Sequence, residues 1–324
     1  MASPEPRARR SYAVLGSGAI GGFYGARLAR AGHAVHFVLR SDYAHVARHG
    51  LRVDSCDGDF ALAEVAAYPG PEDVPPCDVV LVGLKTTAND ALDRLLPPLV
   101  RAGTVVFVLQ NGLGVEDAVA RVVPGAEVVG GMCFICSRRV GPGHLHHQEY
   151  GWITAAAHRA DGAPAGETDT LRALAADFEH AGIKLILEPD LALARWRKLV
   201  WNIPYNGLSV VMRATTQELM QDAATRALIE AIMGEVVGAA TACGHPVEPG
   251  FVDQMLRATD AMTPYLPSMR LDADAGRPLE LDAIYAAPLR AAREAGFAAP
   301  RIEMLHRQLS WIDARLRGDL SGEG

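Results

Sequence analysis

Lys198 sits four positions before Asn202 and eight before Asn206. On a helix, positions i, i+4 and i+8 share a face, so one ammonium and two carboxamides would point the same way. They interrupt an apolar stretch, Leu199, Val200, Trp201 and Ile203, of the kind a buried helix presents. A lysine held there must find a partner or lose its charge, and either state suits proton chemistry. By itself the pattern reads more simply as a lysine whose stem lies on apolar surface while its ammonium reaches water. The N-terminal half of the chain shifts that balance.

Gly16-Ser17-Gly18-Ala19-Ile20-Gly21 follows a short apolar run, Tyr12–Leu15, and opens a helical pattern over Gly22–Ala31. A G-x-G-x-x-G carries meaning only between a strand and a helix, and this one stands there. Gly16 allows the tight turn, Gly18 lets a pyrophosphate approach the backbone, and Gly21 lets helix pack on strand. The helix N-terminus adds free N–H groups and partial positive charge for the phosphates. The second strand, Ala34–Leu39, ends in Arg40-Ser41 rather than in the acidic residue that binds the 2′-hydroxyl of NAD. A guanidinium can grip a 2′-phosphate through two hydrogen bonds, so the expected cofactor is NADPH. Asp42 comes two residues late and is expected to cap the next helix. Lys85 closes the strand Asp78–Leu84, and Asn111 follows the strand Thr104–Leu109 in Gln110-Asn111-Gly112. Ligands bind at that edge of such sheets, although a surface lysine and an Asn-Gly turn are the plain alternatives.

These motifs need a frame. The first half alternates strand-sized apolar runs with helical stretches, implying an α/β fold with a Rossmann-type doubly wound parallel sheet. Phe60–Ala67 reads as one more strand, Val128–Ala157 as an antiparallel extension, Thr168–His180 as a helix and Ile183–Leu187 as a last strand. After about Asp190 strands vanish. Leu191–Val211, Gln217–Cys243, Phe251–Met262, Leu279–Ala295 and Ile302–Arg315 all carry helical periodicity. The expected division is an NADP-binding domain over residues 1–186, with 1–10 a frayed tail, and an all-helical substrate domain over 187–324.

Composition bounds the function. Hydrophobic content of 49% with 21% charged residues fits a globular chain, and a net charge of −7 argues against nucleic acid as partner. The apolar runs are far shorter than a membrane span, and no apolar signal region precedes the glycine motif. Five cysteines, an odd and scattered set, suit a reducing compartment, so a cytoplasmic enzyme is expected. Cys133 and Cys136 form a C-x-x-C within strand-like sequence, where i and i+3 face opposite sides, so a structural role is expected for both. His144, His146 and His147 cluster too, but lack further ligands nearby in sequence for a metal site. The apolar helices of the second half could bury a homodimer face or could be core.

Together these residues resemble the ketopantoate reductase (2-dehydropantoate 2-reductase) family over nearly the whole chain. The marks are Gly16–Gly21, Arg40, Leu84-Lys85, Gln110-Asn111-Gly112, Trp196-Arg197-Lys198-Leu199 with Asn202, and Ser268-Met269 followed by Asp272, Gly276 and Glu280-Leu281-Asp282. The resemblance implies reduction of a 2-oxo acid, ketopantoate, to pantoate with NADPH, on the way to pantothenate. It implies that Lys198 protonates the oxygen of the reduced carbonyl and that Glu280 stands near it and the substrate hydroxyl. Asn202, Asn206 and Ser268 would hold the substrate, and Asn111 would lie beside cofactor and substrate. The physics agrees, since hydride attack puts negative charge on the carbonyl oxygen and a proton donor must stand there.

Three features depart from the family's pattern. Tyr265 stands three before Ser268, where an asparagine is common. Ala283-Ile284-Tyr285-Ala286 replaces the usual Tyr-Ile-Asn-Gly after the motif acid. Pro204 lies inside the lysine's helix and should bend it between Asn202 and Asn206. They leave the chemistry standing and open the choice of substrate. The alternatives are a paralogous reductase of another 2-oxo acid, an opine-dehydrogenase-like enzyme, and a non-catalytic NADP-binding sensor. Lys198, Asn202 and Glu280 together speak against the sensor.

Overall fold

In the computed structural model, residues 9–319 are described. The chain divides into two compact units. One comprises the described residues up to Gln110 together with Glu116–Pro189, and the other Asn111–Val115 together with the residues from Asp190 onward. Two details differ from the expected cut at 186/187. The break falls at 189/190, and the five residues after Gln110 cluster with the helical unit.

The first unit is one ten-stranded sheet. Its strands are β1 (Ser11–Leu15), β2 (Ala34–Val38), β3 (Leu51–Ser55), β4 (Phe60–Leu62), β5 (Ala66–Tyr68), β6 (Val79–Val82), β7 (Val105–Val108), β8 (Glu127–Gly141), β9 (His144–Ala157) and β10 (Leu185–Leu187). The order is β4-β3-β9-β8-β7-β6-β1-β2-β5, with β10 beside β9. From β8 through β7, β6, β1 and β2 to β5 every pairing is parallel. From β1 the chain moves outward to β2 and β5, then returns past β1 to β6, β7 and β8. The order reverses between β1 and β6, where such folds bind ligands beyond the carboxyl ends of the strands. The glycine motif follows β1 and Lys85 follows β6, so both lie at that switch point.

The expected strand over Phe60–Ala67 does not exist as one element. Residues 60–62 pair antiparallel with β3, and residues 66–68 pair parallel with β2, at opposite ends of the sheet order. Only Ala63–Val65 separate them. A chain advances at most ~3.6 Å per residue, so the two edges lie within about 14 Å and the sheet must curl. The β8–β9 hairpin is the antiparallel extension, with register shifts that include one between Phe134 and Ile135. Cys133 and Cys136 both lie in β8 as free cysteines.

Helices α1 (Ala19–Arg30), α2 (Tyr43–His49), α3 (Leu92–Leu95), α4 (Val115–Val122) and α5 (Asp169–His180) accompany the sheet. Arg9 and Arg10 are not frayed. Arg9 donates to the Gly32 carbonyl, and Arg10 pairs with Asp177 at 2.7 Å. Asp177 also accepts from the buried Tyr12 hydroxyl at 2.6 Å. Residues 1–8 of the expected tail lie outside the described residues.

The second unit is helical: α6 (Leu191–Met212), α7 (Thr216–Gln221), α8 (Ala223–Ala242), α9 (Phe251–Asp260), α10 (Ser268–Asp274), α11 (Ala287–Glu294) and α12 (Pro300–Arg317). The pattern over 217–243 is two helices. Asp222 caps the second by accepting from Ala224 and Thr225 N–H, which stops the first. The pattern over 279–295 begins with a π-helical stretch, Asp282–Ala286, before α11. Among the described residues no helix is long and apolar enough to cross a membrane.

Candidate active site

The glycine loop has the geometry of an anion cradle. Gly16 has φ +94°, and a Cβ there would lie 2.4 Å from the Leu84 nitrogen, so both conformation and space require glycine. A Cβ on Gly21 would lie 2.3 Å from the Gly16 carbonyl, while Gly18 faces open space. Gly18 is the N-cap of α1 and no side chain caps the helix, so the first-turn N–H groups remain available to a phosphate. Ser17 donates to the Val38 carbonyl at 3.3 Å and ties the loop to the end of β2. Ala19 and Ile20 start the helix itself. These features fit a dinucleotide.

Arg40 is exposed just past β2, and no protein group holds its guanidinium among the described residues. Asp42 occupies the N-cap position of α2 without making a side-chain cap. Its carboxylate instead takes Arg139 at 2.6 Å and the Gly143 N–H at 3.3 Å, correcting the expected cap. Lys85 is exposed at the start of the 3-10 turn Thr86–Ala91. Gln110, buried at the end of β7, donates through Nε2 to the Leu84 carbonyl at 3.0 Å and to Asn89 Oδ1 at 2.7 Å. It splices the β6 and β7 ends on either side of Lys85. The sequence reading gave Gln110 no role, although a carboxamide ending an apolar strand is a visible signal.

In the second unit α6 carries the lysine stripe. It starts with Asp190 capping Leu193 N–H at 3.0 Å, and it continues through Pro204 to Met212. Asn202 is 3% exposed and Asn206 2%, while Lys198 is half-buried on the same face. The Lys198 Nζ lies 6.0 Å from the Trp201 ring centroid. Asn202 Nδ2 points to Asn111 Oδ1 at 3.4 Å, so the structure brings these two predicted residues together. The Asn206 Oδ1 is buried with no hydrogen-bond partner. Ser268 begins α10, which Arg270 fastens to α6 by donating to the Ser209 carbonyl at 3.0 Å.

Glu280 is 7% exposed. Its segment is held by Asp313, which accepts the Leu279 N–H at 2.8 Å and pairs with Arg317 at 2.7 Å. The π-helical stretch that follows grips the Asn111 loop, since the Ala283 carbonyl accepts the Leu113 N–H at 2.9 Å. Gly112 has φ +105°, and a Cβ there would lie 2.4 Å from the Ala283 Cβ. Gly112→Ala should therefore cost at least ~1–2 kcal/mol for the left-handed backbone alone. Thermal unfolding followed by circular dichroism should drop by about 2–8 °C, and an unchanged midpoint would show that the loop is not clamped.

Tyr285, one of the departures from the family's pattern, lies inside the helical core. It is fully buried, donates to the Ile203 carbonyl at 2.8 Å, and stands where a Cβ on Gly207 would lie 2.7 Å away. It is a packing residue opposite a glycine. Tyr265 is half-buried, and its backbone is pinned by Thr216, whose N–H donates to the Tyr265 carbonyl at 3.1 Å.

Comparison with known proteins turns this geometry into a family assignment. Residues 12–160 match the family described as ketopantoate reductase PanE/ApbA, and residues 190–312 match its C-terminal counterpart. The chain belongs to the ketopantoate reductase family. It is accordingly an oxidoreductase. A 2-dehydropantoate 2-reductase of Nostoc sp. is 49% identical over 308 residues, covering 95% of this chain and 97% of that one. The crystal structure of 2-dehydropantoate 2-reductase from Geobacter metallireducens matches with a TM-score of 0.89 at 44% identity, covering 93% and 99% of the two chains. D-mandelate dehydrogenase with NADH and anilino(oxo)acetate shares the fold, with a TM-score of 0.85 at 20% identity over 95% and 99%.

Proposed function

We propose that the chain catalyses NADPH-dependent reduction of 2-dehydropantoate to pantoate, the step that leads toward pantothenate, with Lys198 as proton donor. One observation carries the choice of substrate: the buried Asn206 Oδ1 has no partner, on the helix face it shares with Lys198. A buried acceptor left alone is costly unless a ligand or a water meets it. 2-Dehydropantoate brings a hydroxyl that can donate to it, and the similarity to 2-dehydropantoate 2-reductases supports the same acid.

Bound NADPH supplies the hydride. Gly16–Gly21 would receive the pyrophosphate, and Arg40 with Lys85 would hold the 2′-phosphate end. As negative charge grows on the carbonyl oxygen, the Lys198 ammonium neutralises it and then gives up a proton. Glu280 orients the lysine and the substrate hydroxyl. Asn111, Asn202, Asn206 and Ser268 fix the acid's polar groups.

The test is NADPH oxidation with 2-dehydropantoate, its analogue lacking the hydroxyl (3,3-dimethyl-2-oxobutanoate) and unrelated 2-oxo acids. A site built around a substrate hydroxyl rejects the analogue strongly, so kcat/KM should fall by at least about 100-fold. Equal rates for the two would assign the chain to a different 2-oxo acid.

A further inference from the structure

Two of the three clustered histidines have distinct partners. His144 Nε2 meets Asp54 at 2.8 Å. His147, only 1% exposed, faces the turn that follows β3. Its Nε2 lies 2.9 Å from the Tyr150 carbonyl. A carbonyl can only accept, so Nε2 carries the proton and Nδ1 keeps its lone pair. Tyr150 has φ +66° and Gly151 φ +129°, at the register shift between β8 and β9. This left-handed bulge turns the carbonyl back toward the ring, and Phe23 packs on the ring at 4.4 Å between centroids. The imidazole is thus fixed in both orientation and tautomer, as an outer-shell carbonyl fixes a metal-binding histidine.

Two further donors converge on Nδ1. Cys56 Sγ lies 3.7 Å from it, and Asp57 Oδ1 lies 3.9 Å from Cys56 Sγ. One ligand atom from each of the three residues lies within 4.8 Å of the other two. Tetrahedral zinc, with bonds of ~2.3 Å to sulfur and ~2.05 Å to nitrogen, sets the sulfur and nitrogen about 3.6 Å apart. We propose that Cys56, Asp57 and His147 form a binding site for a zinc-class divalent cation, with a fourth position open to solvent. Thiolate, carboxylate and imidazole together suit zinc or cobalt and are poor for magnesium or calcium.

The surroundings allow it to load. Cys56 and Asp57 are exposed, so a cation reaches them from water and their side chains can close the remaining fraction of an ångström. Ser55 Oγ now donates to Nδ1 at 2.8 Å and must turn aside, but it keeps the Asp57 N–H at 3.1 Å. Arg27 pairs with Asp57 at 3.4 Å and yields it, retaining the Ala181 and Gly182 carbonyls. One proton leaves the Cys56 thiol for solvent with each cation bound. The cation would tie the turn after β3 to β9, within the unit that carries the glycine loop.

Cobalt(II) titration of the reduced, full-length protein tests this by absorbance. The expected result is saturation at one equivalent, with a near-ultraviolet thiolate-to-cobalt band and visible bands of tetrahedral intensity, both lost when zinc is added. Cys56→Ser should abolish the thiolate band, Asp57→Asn should weaken cobalt binding at least tenfold, and Cys243→Ser should change nothing. Cys56 and Asp57 are surface positions, so a far-ultraviolet spectrum identical to wild type is expected and separates lost binding from lost fold. Absence of the band in wild type, or its persistence in Cys56→Ser, would overturn the site.

Discussion

Lys198→Ala should bind NADPH as tightly as the wild type and turn over about 10²- to 10⁴-fold more slowly, the range that one positioned proton donor contributes. The reason lies in where the helix places the group. Lys198 shares a face of α6 with Asn202 and Asn206, both buried, and Asn202 is tied to Asn111. In the proposed mechanism, removing the ammonium deletes the proton source and the positive charge that meets the developing alkoxide. The residues proposed for the cofactor's phosphates, Gly16–Gly21, Arg40 and Lys85, are left unchanged by this substitution. Steady-state kinetics with a fluorescence titration of NADPH measures both quantities. Lys198→Arg separates the two contributions, because a guanidinium keeps the charge but does not release its proton near neutrality. Turnover should stay low in Lys198→Arg. Normal turnover in Lys198→Ala would end the general-acid reading.

Arg40→Asp should reverse the nucleotide preference. Hydrogen bonds to a charged group contribute ~1.5–3 kcal/mol each way they are counted, so KM for NADPH should rise roughly 10- to 150-fold. The new carboxylate repels a 2′-phosphate and accepts from a 2′-hydroxyl, so NADH should be weakened far less or favoured. The guanidinium is exposed and no protein partner holds it among the described residues, so the substitution disturbs little else. Equal weakening of the two nucleotides would move 2′-phosphate recognition elsewhere, with Lys85 the next residue to change.

Much of this was legible from residue order because each signal was local. The parallel strands are short apolar runs that stop at polar residues, and the glycine loop is recognisable from its neighbours alone. The polar stripe on α6 follows from helical spacing. What escaped was set by partners distant in sequence. Strand β3 reads Leu-Arg-Val-Asp-Ser, a half-polar pattern that becomes a strand because β9 and β4 pair with it. Asp222 offered a cap signal inside an apolar periodicity, and the periodicity hid it. The π-helical stretch at 282–286 owes nothing obvious to its own residues and makes sense beside the Leu113 N–H it accepts. Asp313 supports the Glu280 segment from a helix far along the chain. Tyr285 shows the same limit from the other side: a departure from a family motif draws the eye to the ligand, and its packing against Gly207 is invisible in residue order.

The curled sheet has a consequence for how the chain is made. Arg52 in β3 pairs with His144 in β9, about 90 positions later, whereas β8 and β9 are neighbours joined by a tight turn. On a ribosome, β3 and β4 emerge long before the strand they need, and the loop they close is entropically expensive. The hairpin closes the shorter loop, so it is expected to form before β3 docks and to offer β9 as a template. Until β3 docks, β9 presents a row of unpaired N–H and C=O groups that a second chain could occupy. The three-residue tether between β4 and β5 shortens that interval, because β5 anchors on β2 and holds β3 and β4 near the edge they must fill. Lengthening Ala63–Val65 with flexible residues would lower that local concentration. The price would be paid during synthesis, as aggregation, in a molecule whose finished fold looks unchanged.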